Sequence, residues 1–275
     1  MLGRGVLWDA MSDVTRWETL DVSVDGRVAW VRFNRPDRRN GVTTAMAVEM
    51  YGALSELAAL DTVSVLVLTG NGDAFCPGAD LRAAAEDAEA ARRLPDPETY
   101  HSARLLHEMP ALTVAAINGA CAGAGFAWAA ACDVRVASAS ARFATAFLAV
   151  GLPGELGLAW TLPRSVGAAR ARELLFLAPK IDAEQAREYG FVSRVWPAHE
   201  FRRELDGLVT QLAGRRPEAI REMKRNLVEA ERLPLGDYIT GESARYLALL
   251  TGDGADGVRD RMAQRRDQIQ ADHPE

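Results

Sequence analysis

Four short runs rich in β-branched and apolar residues, VAWVRFN (28–34), VSVLVLTG (63–70), LTVAAING (112–119) and DVRVAS (133–138), constrain the fold of this chain more than any other feature. Each ends in Gly, Asn or Ser, as buried strands do, and helical segments lie between them. In TTAMAVEMYGALSELAAL, Met46, Met50, Leu54 and Leu57 recur at spacings of four and three and share one helix face, and ETYHSARLLHEM is similar. The alternation predicts an α/β fold. After GFVSRVWP (190–197) the pattern changes, and 199–214, 217–232, 237–250 and 255–270 all predict helices, with breaks at Gly214, Pro234 and Gly252 to Gly254. The expected organisation is a loose leader over 1–15, with Met11 as a candidate start, a core over 16–198 and a helical region over 199–275.

Composition narrows the function classes. With 275 residues, 48% of them hydrophobic and 25% charged, the chain is expected to be globular with a sizeable core. A formal net charge of -6 and the lack of a Lys/Arg-rich run argue against nucleic acid or an anionic membrane as the main partner. No apolar leader or membrane span is evident in the sequence, so a cytoplasmic location is expected. Cys76, Cys121 and Cys132 sit in apolar or small-residue stretches without CxxC spacing, which favours reduced thiols over disulfides or a metal site. The charged AAAEDAEAARR run (83–93) is expected to be a solvated face.

Glu155 is the single ionisable group in FATAFLAVGLPGELGLAW (143–160). One reading is a surface turn with a solvated carboxylate. The other is a loop that carries the carboxylate into an apolar pocket, where its pKa would rise toward the range of a general base.

Two Gly-containing turns bear on that choice. INGACAGAGFAWAAACD (117–133) runs from a strand end into an Ala-rich helix, whose N-terminus offers unpaired N–H groups. A dinucleotide site fails in detail, because Gly123 and Gly125 give GxG but Trp128 stands where the third glycine belongs. AFCPGADL (74–81) supplies a second turn, in which the Ala79 N–H can point into a cavity. Two backbone donors from two strand ends suit a developing oxyanion on a thioester carbonyl. The histidines His101, His107, His199 and His273 lie outside these motifs, which leaves a hydrolase triad without its base.

NRPDRRN (34–40), AFCPGADL (74–81), AAINGACAGAGFAWAAACD (115–133) and GLPGELGLAWTLPRSVG (151–167), in this order and spacing, resemble the enoyl-CoA hydratase/isomerase, or crotonase, superfamily. The resemblance spans roughly residues 16–270. It implies a crotonase-like spiral of ββα units with a C-terminal helical region that mediates trimer or hexamer assembly. It also implies an acyl-CoA thioester substrate, with coenzyme A part of that substrate and no separate cofactor or metal. The oxyanion hole would be the N–H groups of Ala79 and Ala124, the latter in place of the glycine usual there. Cys76, Gly78, Asp80, Leu81, Gly123, Phe147, Trp160 and Arg38 would line the bound substrate. Arg38 and Arg39 are candidates for the CoA phosphates, against the ordinary role of solvated loop arginines. Trp128 and Trp160 are expected in the core.

Hydratases that the chain resembles carry two glutamates, whose positions hold Ala127 and Phe147 here. Neither residue can transfer a proton. Glu155 aligns instead with the single acid/base carboxylate of the Δ3,Δ2-enoyl-CoA isomerases, and Leu156, Phe147 and Trp160 would keep water from it. The leading expectation is therefore a double-bond shift through an enolate. The alternatives are a hydratase or lyase in which Glu155 positions water, and a non-catalytic acyl-CoA binding protein.

Overall fold

The computed structural model describes residues 17–86, 89, 94–252 and 255–272. The leader expected over 1–15, part of the 83–93 run and His273 lie outside them. The chain begins with a hairpin, β1 (Leu20–Asp25) and β2 (Val28–Phe33), followed by α1 (Thr44–Ala58). Three ββα steps come next. The first is β3 (Val65–Gly70) and β4 (Ala74–Cys76), then the helices α2 (Leu81–Glu86) and α3 (Ser102–Glu108). The second is β5 (Leu112–Ile117) and β6 (Ala120–Ala122), then α4 (Ala124–Ala131). The third is β7 (Val134–Ser138) and β8 (Arg142–Ala144), then α5 (Leu158–Val166) and α6 (Ala168–Leu177). Strand β9 (Ile181–Asp182), α7 (Ala183–Glu188), β10 (Arg194–Trp196) and α8 (Phe201–Ala213) complete this unit.

The five long strands and the three-residue β10 form one sheet in the order β1-β2-β3-β5-β7-β10, parallel except for the hairpin. Parallel strands need both faces covered, and their residues alternate accordingly. Leu66, Leu68, Val31 and Phe33 join the main core with Met46, Met50, Leu54 and Leu57 of α1, whereas Val65, Val67 and Trp30 meet Phe201, Leu205, Leu208 and Val209 of α8. The short strands form a second sheet, β4-β6-β8-β9. Each ββα step thus sends a long strand to the first sheet and a three-residue strand to the second. The four strands expected from the sequence are β2, β3, β5 and β7; the short ones carry too few residues for a legible period.

The NRPDRRN motif braces the first of these steps. Asn40 is fully buried at φ 62°, a conformation that Asn adopts more readily than most residues. Its amide nitrogen donates to the carbonyls of Asn71 (2.9 Å) and Ala74 (2.7 Å), and its oxygen accepts the Arg35 N–H (2.9 Å). Asn118 does similar work one step on, donating to the Gly70 and Gly72 carbonyls at 3.0 Å.

Contacts divide the chain after Gly214, with α8 on the side of the sheet. The second unit holds α9 (Pro217–Ala230), α10 (Leu235–Thr251) and α11 (Ala255–Asp272). Within it Arg245 of α10 ties to α9 through Glu229 (2.7 Å) and Asn226 (2.6 Å). No residue of α10 is buried, and Ile239, Tyr246 and Leu247 stand exposed. Among the described residues, no helix is long and apolar enough to cross a membrane.

Asn40→Ala would orphan buried backbone groups and place a Cβ-bearing residue without a compensating side chain at positive φ. We expect a loss of about 2–4 kcal/mol of stability, read as a lowered urea midpoint; a change under about 0.5 kcal/mol would show that the brace is dispensable.

Candidate active site

The first arm of the site follows β4. Gly78, at φ 93°, turns the chain so that its carbonyl accepts the Val42 N–H (2.8 Å) while the Asp80 N–H donates to the Val42 carbonyl (2.9 Å). Both bonds face Val42, so the Ala79 N–H between them is directed the other way. Asp80 locks this turn from below. One carboxylate oxygen caps α2 through the Ala83 N–H (2.9 Å), and the other lies 2.9 Å from Arg35, which also donates to the Gly41 carbonyl. Burial alone would push the Asp80 carboxyl up; the Ala83 N–H and the Arg35 guanidinium outweigh it and leave the group below its ordinary value.

The second arm follows β6. Gly123, at φ 53°, leads into α4, whose eight residues are all buried, and the Ala124 N–H is the first of its N-terminus. A Cβ on Gly78 would lie 3.2 Å from the Ala122 carbonyl oxygen, and one on Gly123 would lie 3.3 Å from the Gly78 Cα. The two backbones therefore touch, and the peptide groups just beyond them, at Ala79 and Ala124, lie side by side. Among the described residues neither N–H has an acceptor. Cys76 at the end of β4 is fully buried, and a Cβ on Gly125 would lie 2.7 Å from its Cβ, so the first turn of α4 packs against it. Burial, with a smaller contribution from the Glu155 charge, pushes this thiol up to about 12.

Glu155 stands on the loop between β8 and α5. Five residues on this loop, Ala146, Gly151, Gly154, Leu156 and Gly157, have positive φ, so the chain turns sharply on both sides of Glu155. Phe147 and Leu156 on the same loop are each only 8% exposed, while Glu155 itself is half-buried. Among the described residues it has no hydrogen-bond or ion-pair partner, and desolvation raises its pKa above the ordinary value. Its charge contributes to raising the Cys76 thiol, which places Glu155 in the neighbourhood of the β4 arm.

Several expected residues stand elsewhere or differently. Trp160 is 42% exposed rather than in the core, because α5 buries Leu158, Thr161 and Leu162 and turns Trp160 to the opposite side. Its ring is held by the Arg164 guanidinium at 3.7 Å and the edge of His107 at 5.1 Å. Trp128 is a core residue, its indole N–H donating to Ser102 (3.0 Å). Arg38 is held by a two-pronged ion pair with Glu86 at 3.0 Å, which competes with any phosphate. Leu81, the first residue of α2, is exposed. Arg35 and Asn40 escaped the sequence reading although both lie in NRPDRRN; the Asn at the end of that run, suited to positive φ, was the signal available. Among the described residues, no group of three or more His, Cys, Asp or Glu is placed to hold a metal ion.

Two adjacent free N–H groups can polarise a carbonyl oxygen, and an unpaired carboxylate of raised pKa beside them can take and return a proton. Residues 24–255 match the family model described as enoyl-CoA hydratase/isomerase. A probable enoyl-CoA hydratase of Mycobacterium tuberculosis is 32% identical over 249 residues, 86% of this chain and 87% of that protein. The 1,2-epoxyphenylacetyl-CoA isomerase of Escherichia coli is 32% identical over 240 residues, 81% of this chain and 90% of its own length. The crystal structure of a putative enoyl-CoA hydratase from Thermobifida fusca in complex with acetoacetyl-CoA superposes with a TM-score of 0.77 at 30% identity, covering 84% of this chain and 94% of that one. The short-strand sheet, the paired backbone donors and these likenesses converge: the chain belongs to the enoyl-CoA hydratase/isomerase family and is an acyl-CoA enzyme of that type.

Proposed function

We propose that this enzyme shifts a double bond in an enoyl-CoA thioester with Glu155 as its single acid/base. The observation that carries the reading is an unpartnered, half-buried carboxylate with a raised pKa beside two free backbone donors, while Ala127 and Phe147 stand at the positions of the hydratase glutamates. The thioester oxygen accepts from the Ala79 and Ala124 N–H groups. Glu155 takes a proton from C2 of a 3-enoyl thioester, the electrons spread through the dienolate onto that oxygen, and the same carboxyl returns a proton to C4. No bond to water forms, and Phe147 and Leu156 keep water out. Coenzyme A enters as part of the substrate, and proton transfer requires no metal. The names of the mycobacterial and Thermobifida relatives favour a second reading, in which Glu155 alone positions a water for addition to a 2-enoyl thioester.

Glu155→Gln keeps the size and removes the proton acceptor. Turnover of a 3-enoyl-CoA should fall by roughly 10²–10⁴-fold with little change in KM, and a variant of full activity would end the single-base reading. In D₂O the wild type should transfer part of the C2 hydrogen to C4 within one molecule; complete solvent incorporation would point to a base in free exchange with water.

The raised pKa also fixes two pH dependences. Activity needs the ionised base, so its acid limb should lie above the ordinary glutamate range. Stability runs the opposite way: the folded state holds this proton more tightly than the unfolded one, so ionised Glu155 weakens the fold at neutral pH. Glu155→Gln should therefore unfold at a higher temperature than the wild type at pH 8, and the difference should vanish below the ordinary carboxylate range. Equal curves at both pH values would count against a desolvated carboxylate.

The exposed apolar residues of α10, Ile239, Tyr246 and Leu247, together with half-buried Leu250, support assembly into a trimer, or a pair of trimers, through the C-terminal helices. Light scattering at micromolar concentration should give at least three times the chain mass; a stable monomer would refute this.

A further inference from the structure

The turn that carries the Ala79 N–H is tied to the neighbouring backbone at a single residue. The Gly78 carbonyl accepts from Val42 and the Asp80 N–H donates to Val42, at 2.8 and 2.9 Å, and these bonds flank Ala79. Two bonds to one residue act as a hinge, about which the turn could pivot. The Asp80 side chain supplies an anchor off that hinge. One carboxylate oxygen accepts the Ala83 N–H at 2.9 Å and holds the start of α2, and the other lies 2.9 Å from the Arg35 guanidinium. Arg35 is itself fixed. Its N–H donates to the buried Asn40 side chain (2.9 Å), its carbonyl accepts the Asn40 N–H (2.8 Å), and its guanidinium also donates to the Gly41 carbonyl. The two segments are in close contact, since a Cβ on Gly41 would lie 2.9 Å from the Asp80 Cβ. We propose that Arg35 and Asp80 are positioning residues, an ion pair that stops the turn from pivoting on Val42 and thereby aims the Ala79 N–H at the thioester oxygen.

The chemistry of the pair fits that task. Both side chains are largely withdrawn from water, Asp80 at 6% exposed and Arg35 at 18%. A buried ion pair adds little stability over an apolar pair of equal volume, because desolvating the charges offsets their attraction. Direction is what it supplies: a planar guanidinium that holds a carbonyl and a carboxylate together restrains both segments in a way that a rotating ammonium does not. Neutralised by Arg35, the carboxylate also brings little net negative charge to a peptide that donates to a forming enolate. The inference rests on Ala79 as a donor to the thioester oxygen, and not on the choice between double-bond shift and water addition.

The test reads the carbonyl itself. A saturated CoA thioester, ¹³C-labelled at the carbonyl, bound to the wild-type chain should show a stretching frequency lowered from its solution value. Asp80→Asn keeps the shape and the oxygen that caps α2 but removes the charge facing Arg35. In it the frequency should move about halfway back, since the Ala124 N–H remains, with kcat down about tenfold and KM within about twofold. Arg35→Lys keeps the charge but cannot hold the carboxylate and the Gly41 carbonyl together; it should show the same pattern, and is read in place of Asp80→Asn if the latter does not fold. Asp80→Asn combined with Arg35→Gln should lose no more than the worse single variant, because the two residues act as one unit. An unchanged frequency in the folded variant would overturn the positioning role, even if kcat or the melting temperature falls, and so would losses that add in the double variant. No lowering in the wild type would overturn the donor assignment on which the inference rests. A wild type that lowers the frequency but leaves 3-enoyl thioesters unconverted would defeat the isomerase reading while the comparison at Arg35 and Asp80 still stands.

Discussion

Backbone contact between Gly78 and Gly123 is the constraint around which the site is arranged. Two chain segments that end different short strands come within van der Waals distance there, and no side chain fits between them. Their approach requires β4 and β6 to lie beside each other, and the register pairs Cys76 with Cys121 two residues before the turns. The second sheet is therefore less a source of core area than a device for bringing strand ends together. Its strands have only two or three residues each, and their stability comes from Asn40, Asn118 and the buried faces around them.

Against that rigid pair the Glu155 loop is a strained element. Non-Gly residues at positive φ cost on the order of 1–2 kcal/mol each, and Ala146 and Leu156 are two of them. The loop persists because its ends are fixed. Thr145, buried, donates its hydroxyl to the Leu174 carbonyl at 2.8 Å, and Leu158 begins a helix whose inner face is Leu158, Thr161 and Leu162. Pinned at both ends, the loop cannot swing its carboxylate fully into water. The desolvation that weakens the fold is the same desolvation that raises the pKa, so stability and basicity are opposed at this residue.

Much of this was legible in the sequence, for identifiable reasons. Long strands buried on both faces announce themselves by β-branched runs, and Glu155 stood out as one charge in an apolar stretch. The donor assignment at Ala79 and Ala124 came from the family resemblance, since Gly-containing turns at strand ends serve tight packing as readily as a site, and it stays part of the proposed function. What escaped depends on partners distant in sequence. Arg35 meets Asp80 only because Val42 and Ala79 bridge, and nothing local to NRPDRRN encodes that pairing. Trp160 was misplaced for a different reason: a tryptophan in an apolar run suggests a core position, but the helix turns it outward onto Arg164.

The choice between one base and two is written partly in packing. A glutamate at position 127 would have to leave α4 toward the site, yet Ala127 is fully buried and every residue of that helix is closed off by neighbours. Phe147 fills the other position as an apolar wall beside Gly154, with the nearest atom of its ring 3.9 Å from where a Cβ on that glycine would lie. Where the resemblance puts the hydratase glutamates, Ala127 and Phe147 present apolar, buried surface. Adding water to a double bond requires a polar niche that orients that water through at least two partners. A wall made of Phe147 and Leu156 offers none, whereas a proton carried from one carbon to another by a single carboxyl needs only that the carboxyl stay dry and close. The packing thus supports the proposed double-bond shift, in which Glu155 meets both carbons in turn.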